Sequence, residues 1–355
     1  MEFSNEVLFF GGFAVFVIFV MLLDLGAFSK GGSHVVKFKE AAIWSAIWVA
    51  LAVAFYFFLR KFGYLIHDIS TPEALLSVTQ KYYKSISLPE SFEAGKVALQ
   101  KNMALEYLTG YLVEYSLSVD NIFVFILIFS SFGVREMNYK KVLVWGILGS
   151  IILRFVFIFL GAALIQKFDW ILYIFGAFLV YTGIKILFSG DDEEEIDTKN
   201  HPAVKLTSKY FNVYERFVYD RFFVKNKYRG NKIYVTPLFV VIIVIAFTDV
   251  IFAVDSIPAI FSITKDPYIV FFSNVFAIMG LRSMFFFLIN IINMFAYLQY
   301  GLGVLLTFIG VKMLAHHWLE EWGFTNQHSL LVIVGILGVS IVLSLLFPPK
   351  EEKAV

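Results

Sequence analysis

The sequence predicts an all-α integral membrane protein of about nine transmembrane helices, in which two three-helix segments form inverted repeats. Three observations predict it. The 355-residue chain is 59% hydrophobic and only 16% charged, with a mean hydropathy of +0.77; soluble domains are roughly 45–50% apolar. Apolar runs of about 20 residues, the length that crosses a bilayer, recur along the chain. A pair of acidic segments inside such runs, together with the motifs that follow them, occurs twice in the same order.

Composition also sets limits on function. A formal net charge of +1 argues against a nucleic-acid partner. With no cysteine in the chain, disulfides, thiolate metal sites and cysteine nucleophiles are excluded. The 42 Phe and 18 Tyr suit lipid-facing and interfacial positions. No Gly-rich phosphate loop, Ser-His-Asp pattern or His-Glu-x-x-His motif is found, so neither an enzyme nor a prosthetic group is expected.

Nine apolar runs fall at 7–25, 41–59, 104–131, 142–165, 170–189, 233–261, 268–289, 296–315 and 328–347. Glu2 and Glu6 precede the first, with no Lys or Arg, so it reads as a membrane helix and not a signal peptide. These runs divide the chain into two leading helices (1–60), an extracytoplasmic loop (61–103), repeat one (104–189), a charged cytoplasmic loop (190–232), repeat two (233–315), and a last helix with a cytoplasmic tail (316–355). Pro72 and Pro89 suggest that the 61–103 loop is a partly helical surface excursion. Orientation follows from basic residues in short loops. Lys30, Lys37 and Lys39, then Arg135, Lys140 and Lys141, then a run from Lys199 to Lys232 mark the odd loops as cytoplasmic. The N-terminus is therefore expected outside and the C-terminus inside. Asp191 to Glu195 read as a solvated loop, with a cation-gathering funnel as the alternative.

The repeat rests on three anchors. Glu114-Tyr-Ser-Leu-Ser-Val-Asp120-Asn121 maps onto Asp249-Val-Ile-Phe-Ala-Val-Asp255-Ser256 with an offset of 135. Ile-Leu-Arg154 maps onto Gly-Leu-Arg282 with an offset of 128, and the segment from Tyr173 to Leu187 onto that from Tyr300 to Leu314 with an offset of 127. Each copy has three helices, an odd number, so the two copies enter the membrane from opposite sides. Inverted repeats of this kind are common in secondary transporters, with the site near the midplane between them.

Carboxylates at bilayer depth mark ion or proton chemistry. On a helix the seventh neighbour nearly shares a face and the sixth lies about 120° round. Glu114 thus points with Asn121, and Asp249 with Ser256, while Asp120 and Asp255 flank them. Pro258 removes the hydrogen bond to the Val254 carbonyl, which predicts a kink or opening near Asp255. The pooled set is Glu114, Asp120, Asn121, Asp249, Asp255 and Ser256, with Ser116, Ser118 and Thr248 as accessories and Asp24 as a vestibule ligand or solvated helix end. All donors are oxygen, which suits Mg²⁺, Ca²⁺ or Mn²⁺ better than Zn²⁺ or Cu⁺. Arg154 and Arg282 balance part of the charge. In the bland alternative they lock all four acids in a buried network. Lys185 and Lys312 read as snorkelling helix ends.

At Glu114 to Asn121 and at Phe252-Ala-Val-Asp-Ser-Ile-Pro-Ala259 the sequence resembles the TerC family of bacterial membrane proteins, closest to its Alx branch. Leu-Asp24-Leu-Gly, the segment from Phe168 to Leu179, Gly-Leu-Arg282 and Thr236-Pro237-Leu extend the likeness over nearly the whole chain. The resemblance implies a multi-pass inner-membrane transporter related to LysE-type exporters, associated with manganese export and tellurite resistance. Mn²⁺ is the expected substrate; its export needs either a steep concentration gradient or a coupled ion, for which proton exchange is the expectation. Ca²⁺ or broader divalent exchange is an alternative, and a non-transporting stress-response scaffold or sensor is another of a different class. One departure is Ala246, where family members often carry Glu.

Overall fold

The computed structural model describes residues 5–24, 36–84, 86–168, 170–188, 202–214, 216–226, 232–289 and 297–346. The acidic run 191–195 lies outside them. In chain order the elements are α1 (Asn5–Asp24), α2 (Phe38–Phe62), a 3-10 turn (Gly63–Leu65), α3 (Pro72–Tyr82), α4 (Phe92–Ser131), α5 (Glu136–Lys167), α6 (Ile171–Phe188), α7 (Pro202–Tyr210), strands β1 (Phe223–Asn226) and β2 (Lys232–Val235), α8 (Pro237–Phe261), α9 (Pro267–Leu288), α10 (Leu298–Leu314), α11 (His316–Glu321) and α12 (Asn326–Leu346). The nine apolar stretches fall on α1, α2, α4, α5, α6, α8, α9, α10 and α12. Among the described residues, six helices are long and apolar enough to cross a bilayer, and Phe9–Leu23 and Tyr300–Leu314 are shorter apolar helices.

Local chemistry sets several helix starts. Pro72, Pro237 and Pro267 each stand in the first turn, where a missing N–H costs nothing. The Thr71 hydroxyl accepts from Ala74 N at 3.2 Å, and Asp266 Oδ1 accepts from Tyr268 N at 3.0 Å. Gly133, at φ +60°, takes the left-handed conformation that ends α4. The expected opening at Pro258 is not found: α8 runs unbroken through it. One lost hydrogen bond within a 25-residue helix does not unwind it. The antiparallel hairpin β1–β2, pairing Phe223 with Val235, departs from the all-helical expectation. It lies in the charged segment before α8, which Lys141 Nζ ties to α5 by donating to Asp220 Oδ2 at 3.0 Å.

Helix α9 is the hub. Its spanning segment is entirely buried, packed against α2, α4 and α5, although it is the least apolar of the six candidate spans. Ser273, Asn274, Arg282 and Ser283 sit on it. Shielding by the other helices lets it carry polar groups that lipid would reject.

Helices α6 and α10 pack backbone to backbone and antiparallel. A Cβ at Gly176 would meet Gly310 O at 3.1 Å, and one at Gly183 would meet Gly303 O at 2.6 Å. Under the offset of 127, exchanging the two segments maps the first contact onto the second. The same exchange turns the α4–α9 packing into that of α8 with α5.

The 61–103 segment is a cap and not a loose loop. Its Ile66, Ile69, Leu75 and Tyr83 are buried in the same core as α2, α4 and α9. Asp266, fully buried between α8 and α9, pins it: Oδ2 accepts from Tyr83 Oη at 2.7 Å and lies 2.6 Å from His67 Nε2. Burial pushes the Asp266 carboxyl up, but the His67 charge and hydrogen bonds from His67 and Tyr83 outweigh it, so it lies below the ordinary value.

Two predictions follow from this packing. Gly310→Ala should destabilise by about 1–3 kcal/mol, because its Cβ would lie 2.6 Å from Gly176 O, while Gly335→Ala, in open space, should not. Thermal melts in detergent measure the difference. Asp266 ionises more readily folded than unfolded, so its contribution is complete above its unfolded pKa of about 3.9. That contribution is lost as pH falls through the lower folded value. The melting-temperature gap between wild type and Asp266→Asn should hold from pH 7 to 5 and close below about pH 4. A gap that persists there would disprove the assignment.

Candidate functional site

The site is built where α4, α5, α8 and α9 meet. Arg154, on α5, is 1% exposed and turns its guanidinium toward α8. Nε donates to Asp249 Oδ2 and Nη2 to Asp249 Oδ1, both at 2.9 Å, a forked pair of the kind that fixes both partners. Nη1 donates to the Glu114 carboxylate on α4 and, at 2.8 Å, to Asn274 Oδ1 on α9; Ser256 Oγ lies 3.5 Å away. Asn274 is itself oriented, because its Nδ2 donates to Val270 O at 2.9 Å. Glu114, Asp249, Ser256 and Asn274 are all buried.

Arg154 thus joins the acidic segments of both repeats with a single cation. One guanidinium faces two carboxyl groups. The second Glu114 oxygen is buried without a hydrogen-bond partner, and so is Ser118 Oγ one helical turn further on. Two orphaned oxygens on one face of α4 can accept a proton or a hard cation.

Other residues of the predicted set fall as follows. Asn121 and Thr248 are buried near the same helices. Ser116 Oγ donates to Leu112 O at 2.6 Å within its own helix. Arg282 is buried on α9, eight positions after Asn274. Asp120 lies on α4, Asp255 on α8 and Asp24 at the end of α1, but their side chains lie outside the described residues. Among the described residues no three His, Asp or Glu side chains converge in a metal-ligand group. Ala246 packs toward α5, where a Cβ on Gly149 would sit 3.5 Å from its own.

Two polar groups escaped the sequence reading. Asn274 could have been found as an amide inside an apolar run, eight positions before Arg282. Lys312 was expected to snorkel like Lys185. Lys185 is exposed, but Lys312 turns inward and donates to Ser262 O at 3.3 Å. The end of α8 offers an unsatisfied carbonyl closer than the headgroups.

The model of the integral membrane protein TerC family matches residues 99–352. The chain is 40% identical to the protein named "Putative membrane-bound redox modulator Alx" of Escherichia coli K12, over 98% of this chain and 97% of that one. The Salmonella typhi protein of the same name is also 40% identical, over 98% of this chain and 96% of its own length. An uncharacterized membrane protein of Myxococcus xanthus is 40% identical over 94% of this chain and 91% of its own length. No solved structure matches the chain.

The fork predicts an order among variants. Glu114→Gln leaves the Arg154–Asp249 pair intact, whereas Asp249→Asn removes the charge and replaces one of the two accepting oxygens with an amide N–H2 that faces the guanidinium. Arg154→Met strands two buried carboxylates, a loss of about 3–5 kcal/mol for a broken buried pair. Melting temperatures should therefore fall in the order wild type, Glu114→Gln, Asp249→Asn, Arg154→Met. A Glu114→Gln protein less stable than Asp249→Asn would contradict the geometry.

Proposed function

The chain belongs to the TerC family of integral membrane proteins, and on that footing we propose that it exports a divalent metal ion, Mn²⁺, through the acidic site around Arg154, with protons moving in exchange. The observation that supports this reading most is the oxygen cluster beside Arg154: two buried carboxyl groups face one guanidinium, and an oxygen of Glu114 and the Ser118 hydroxyl have no hydrogen-bond partner among the described residues. A buried uncompensated charge is costly, so the site calls for a proton or a cation. By sequence, Asp120 and Asp255 add two further acids on the same helices, with Asn121 and Ser256 beside them. Such an oxygen set suits Mn²⁺, and Ca²⁺ is the neighbouring substrate by the same chemistry.

Energetics calls for a steep concentration gradient or a coupled ion, and proton entry is the coupling this reading takes. Moving a cation outward works against about 2.3 kcal/mol per charge per 100 mV. Protons entering through the same carboxylates supply the opposing gradient. We place the protein in the bacterial inner membrane, N-terminus outside. The relatives are named for redox modulation. This chain has no cysteine, so such a role would run through the transported ion and not through thiols. A non-transporting scaffold is the second reading, favoured by the Arg154–Asp249 fork, which would lock the repeats together without any cargo.

Sealed vesicles separate the two. Wild-type proteoliposomes should move Mn²⁺ and acidify or alkalinise in step with it. Glu114→Gln, which keeps the fork and removes one of the two carboxyl groups, should fold and lose at least about tenfold in flux, the effect of 1.4 kcal/mol on the barrier. Mn²⁺ flux absent from wild type would leave the scaffold reading standing, and flux unchanged in Glu114→Gln would remove the Arg154 site from the transport path.

A further inference from the structure

The hairpin and the short helix before it carry a bare face that transport through the Arg154 site does not use. The register of β1 and β2 pairs Phe223 with Val235 and Lys225 with Ile233, so these four side chains share one face of the ladder. Val235, nearest α8, is buried. Phe223 is 52% exposed and Ile233 59%, and Lys225 between them is exposed. The other face is occupied: the Tyr234 ring on it lies 6.2 Å from that of Tyr214. Helix α7 is divided in the same way. Val204 and Thr207 turn inward, while Lys205, Ser208, Lys209 and Tyr210 are exposed.

We propose that this bare face is a foot that lies on the bilayer surface and binds anionic phospholipid headgroups, with Phe211, Phe223 and Ile233 in the interface and Lys205, Lys209 and Lys225 on the phosphates. The foot is independent of the export reading.

Its place in the chain keeps it at the membrane. Ile233 lies four residues before Pro237, where α8 begins, and α8 is long and apolar enough to cross a bilayer. Four extended residues reach about 13 Å at most, so the hairpin stays within headgroup distance of that helix. The apolar surface is also continuous with α8. The ring of Phe239, in the first turn of α8, lies 5.0 Å from that of Phe223 and 5.8 Å from that of Phe211. Aromatic side chains at the start of a spanning helix sit at headgroup level.

Charge selects the kind of lipid. From 202 to 235 the sequence holds eight Lys and Arg against two Asp and Glu. The cap-bearing segment 61–103 holds five against four. An anionic surface complements the first and not the second. Lysines interleaved with exposed aromatic and aliphatic side chains suit a surface that is apolar just below its phosphates.

The foot is held in shape before it binds. Thr236 Oγ1 donates to Arg221 O at 2.6 Å, Val235 N to Asn212 O at 2.9 Å and Tyr214 N to Val235 O at 2.8 Å. Lys141 Nζ on α5 donates to Asp220 O at 2.6 Å. Binding therefore orders side chains and not backbone, which lowers its entropic cost. The same bonds tie the foot to α5 and α8, the helices that carry Arg154 and Asp249.

The chain has no cysteine, so a single introduced one can be labelled alone. Ile233→Cys carrying a nitroxide, in the full-length protein reconstituted into nanodiscs, reports how deep the face lies. Its collisions with a water-soluble nickel chelate should be several-fold slower in mixed phosphatidylglycerol and phosphatidylcholine than in phosphatidylcholine alone, and salt at about 1 M should remove the difference. Equal collision rates in the two lipids overturn the proposal. Protection that follows the number of chains per disc and not the anionic lipid makes the face a contact between copies, and overturns it too. Lipid selectivity is the second measurement. Lys209→Gln with Lys225→Gln should lower the preference for spin-labelled phosphatidylglycerol over phosphatidylcholine at least twofold, and Lys81→Gln with Lys84→Gln, in the cap, should leave it unchanged. An unchanged preference in the first pair, or an equal loss in the second, overturns the proposal.

Discussion

The fold depends on one buried cation. Arg154 cannot lose its proton and cannot reach a headgroup from the middle of α5, so it must be neutralised where it stands. Asp249 of one repeat and Glu114 of the other do this, with Asn274 of the hub helix filling the remaining donor. Four helices are therefore held by one guanidinium. Removing a donor or an acceptor leaves a bare charge in low dielectric, which is why the contact specifies the arrangement of α4, α5, α8 and α9 as well as supporting it.

The rest of the packing makes that centre possible. Between α6 and α10, and at Gly146 against Ile245, small residues let helices approach closely. The packing of α2, α4 and α5 around α9 buries its spanning segment, and that shielding is what allows Asn274 and Arg282 to sit on it. The cap formed by residues 61–84 closes the bundle at the α8–α9 turn, anchored on Asp266. That anchor lies two residues beyond Thr264, whose hydroxyl accepts from Asp266 N at 3.2 Å, so the turn itself is held.

Much of this was legible in the sequence because bilayers impose simple rules. Apolar runs of bilayer length gave the helices, and acids within them gave Glu114 and Asp249. The repeat anchors aligned Gly176 with Gly303 and Gly183 with Gly310, and the helices bring these glycines together crosswise, Gly176 against Gly310 and Gly183 against Gly303. What stayed hidden depends on three-dimensional neighbours. Nothing in the spacing of Arg154 says that it reaches across to the other repeat. Asn274 looks like a stray amide until α5 is laid against α9. Lys312 and Lys185 are equivalent in sequence and differ only because α8 ends beside one of them. The hairpin β1–β2 sits in a charged segment, with strands of four residues each, too short for a periodic signal.

The two buried cations differ in how they are held. Arg154 is clamped by a fork of two hydrogen bonds to Asp249 and a third contact to Glu114, so it fixes one acidic segment of each repeat in place. Lys312 reaches the Ser262 carbonyl through a single bond of 3.3 Å at the end of a flexible stem. The guanidinium therefore sets the mutual position of α4, α5 and α8, whereas the ammonium fixes only the helix end that it caps.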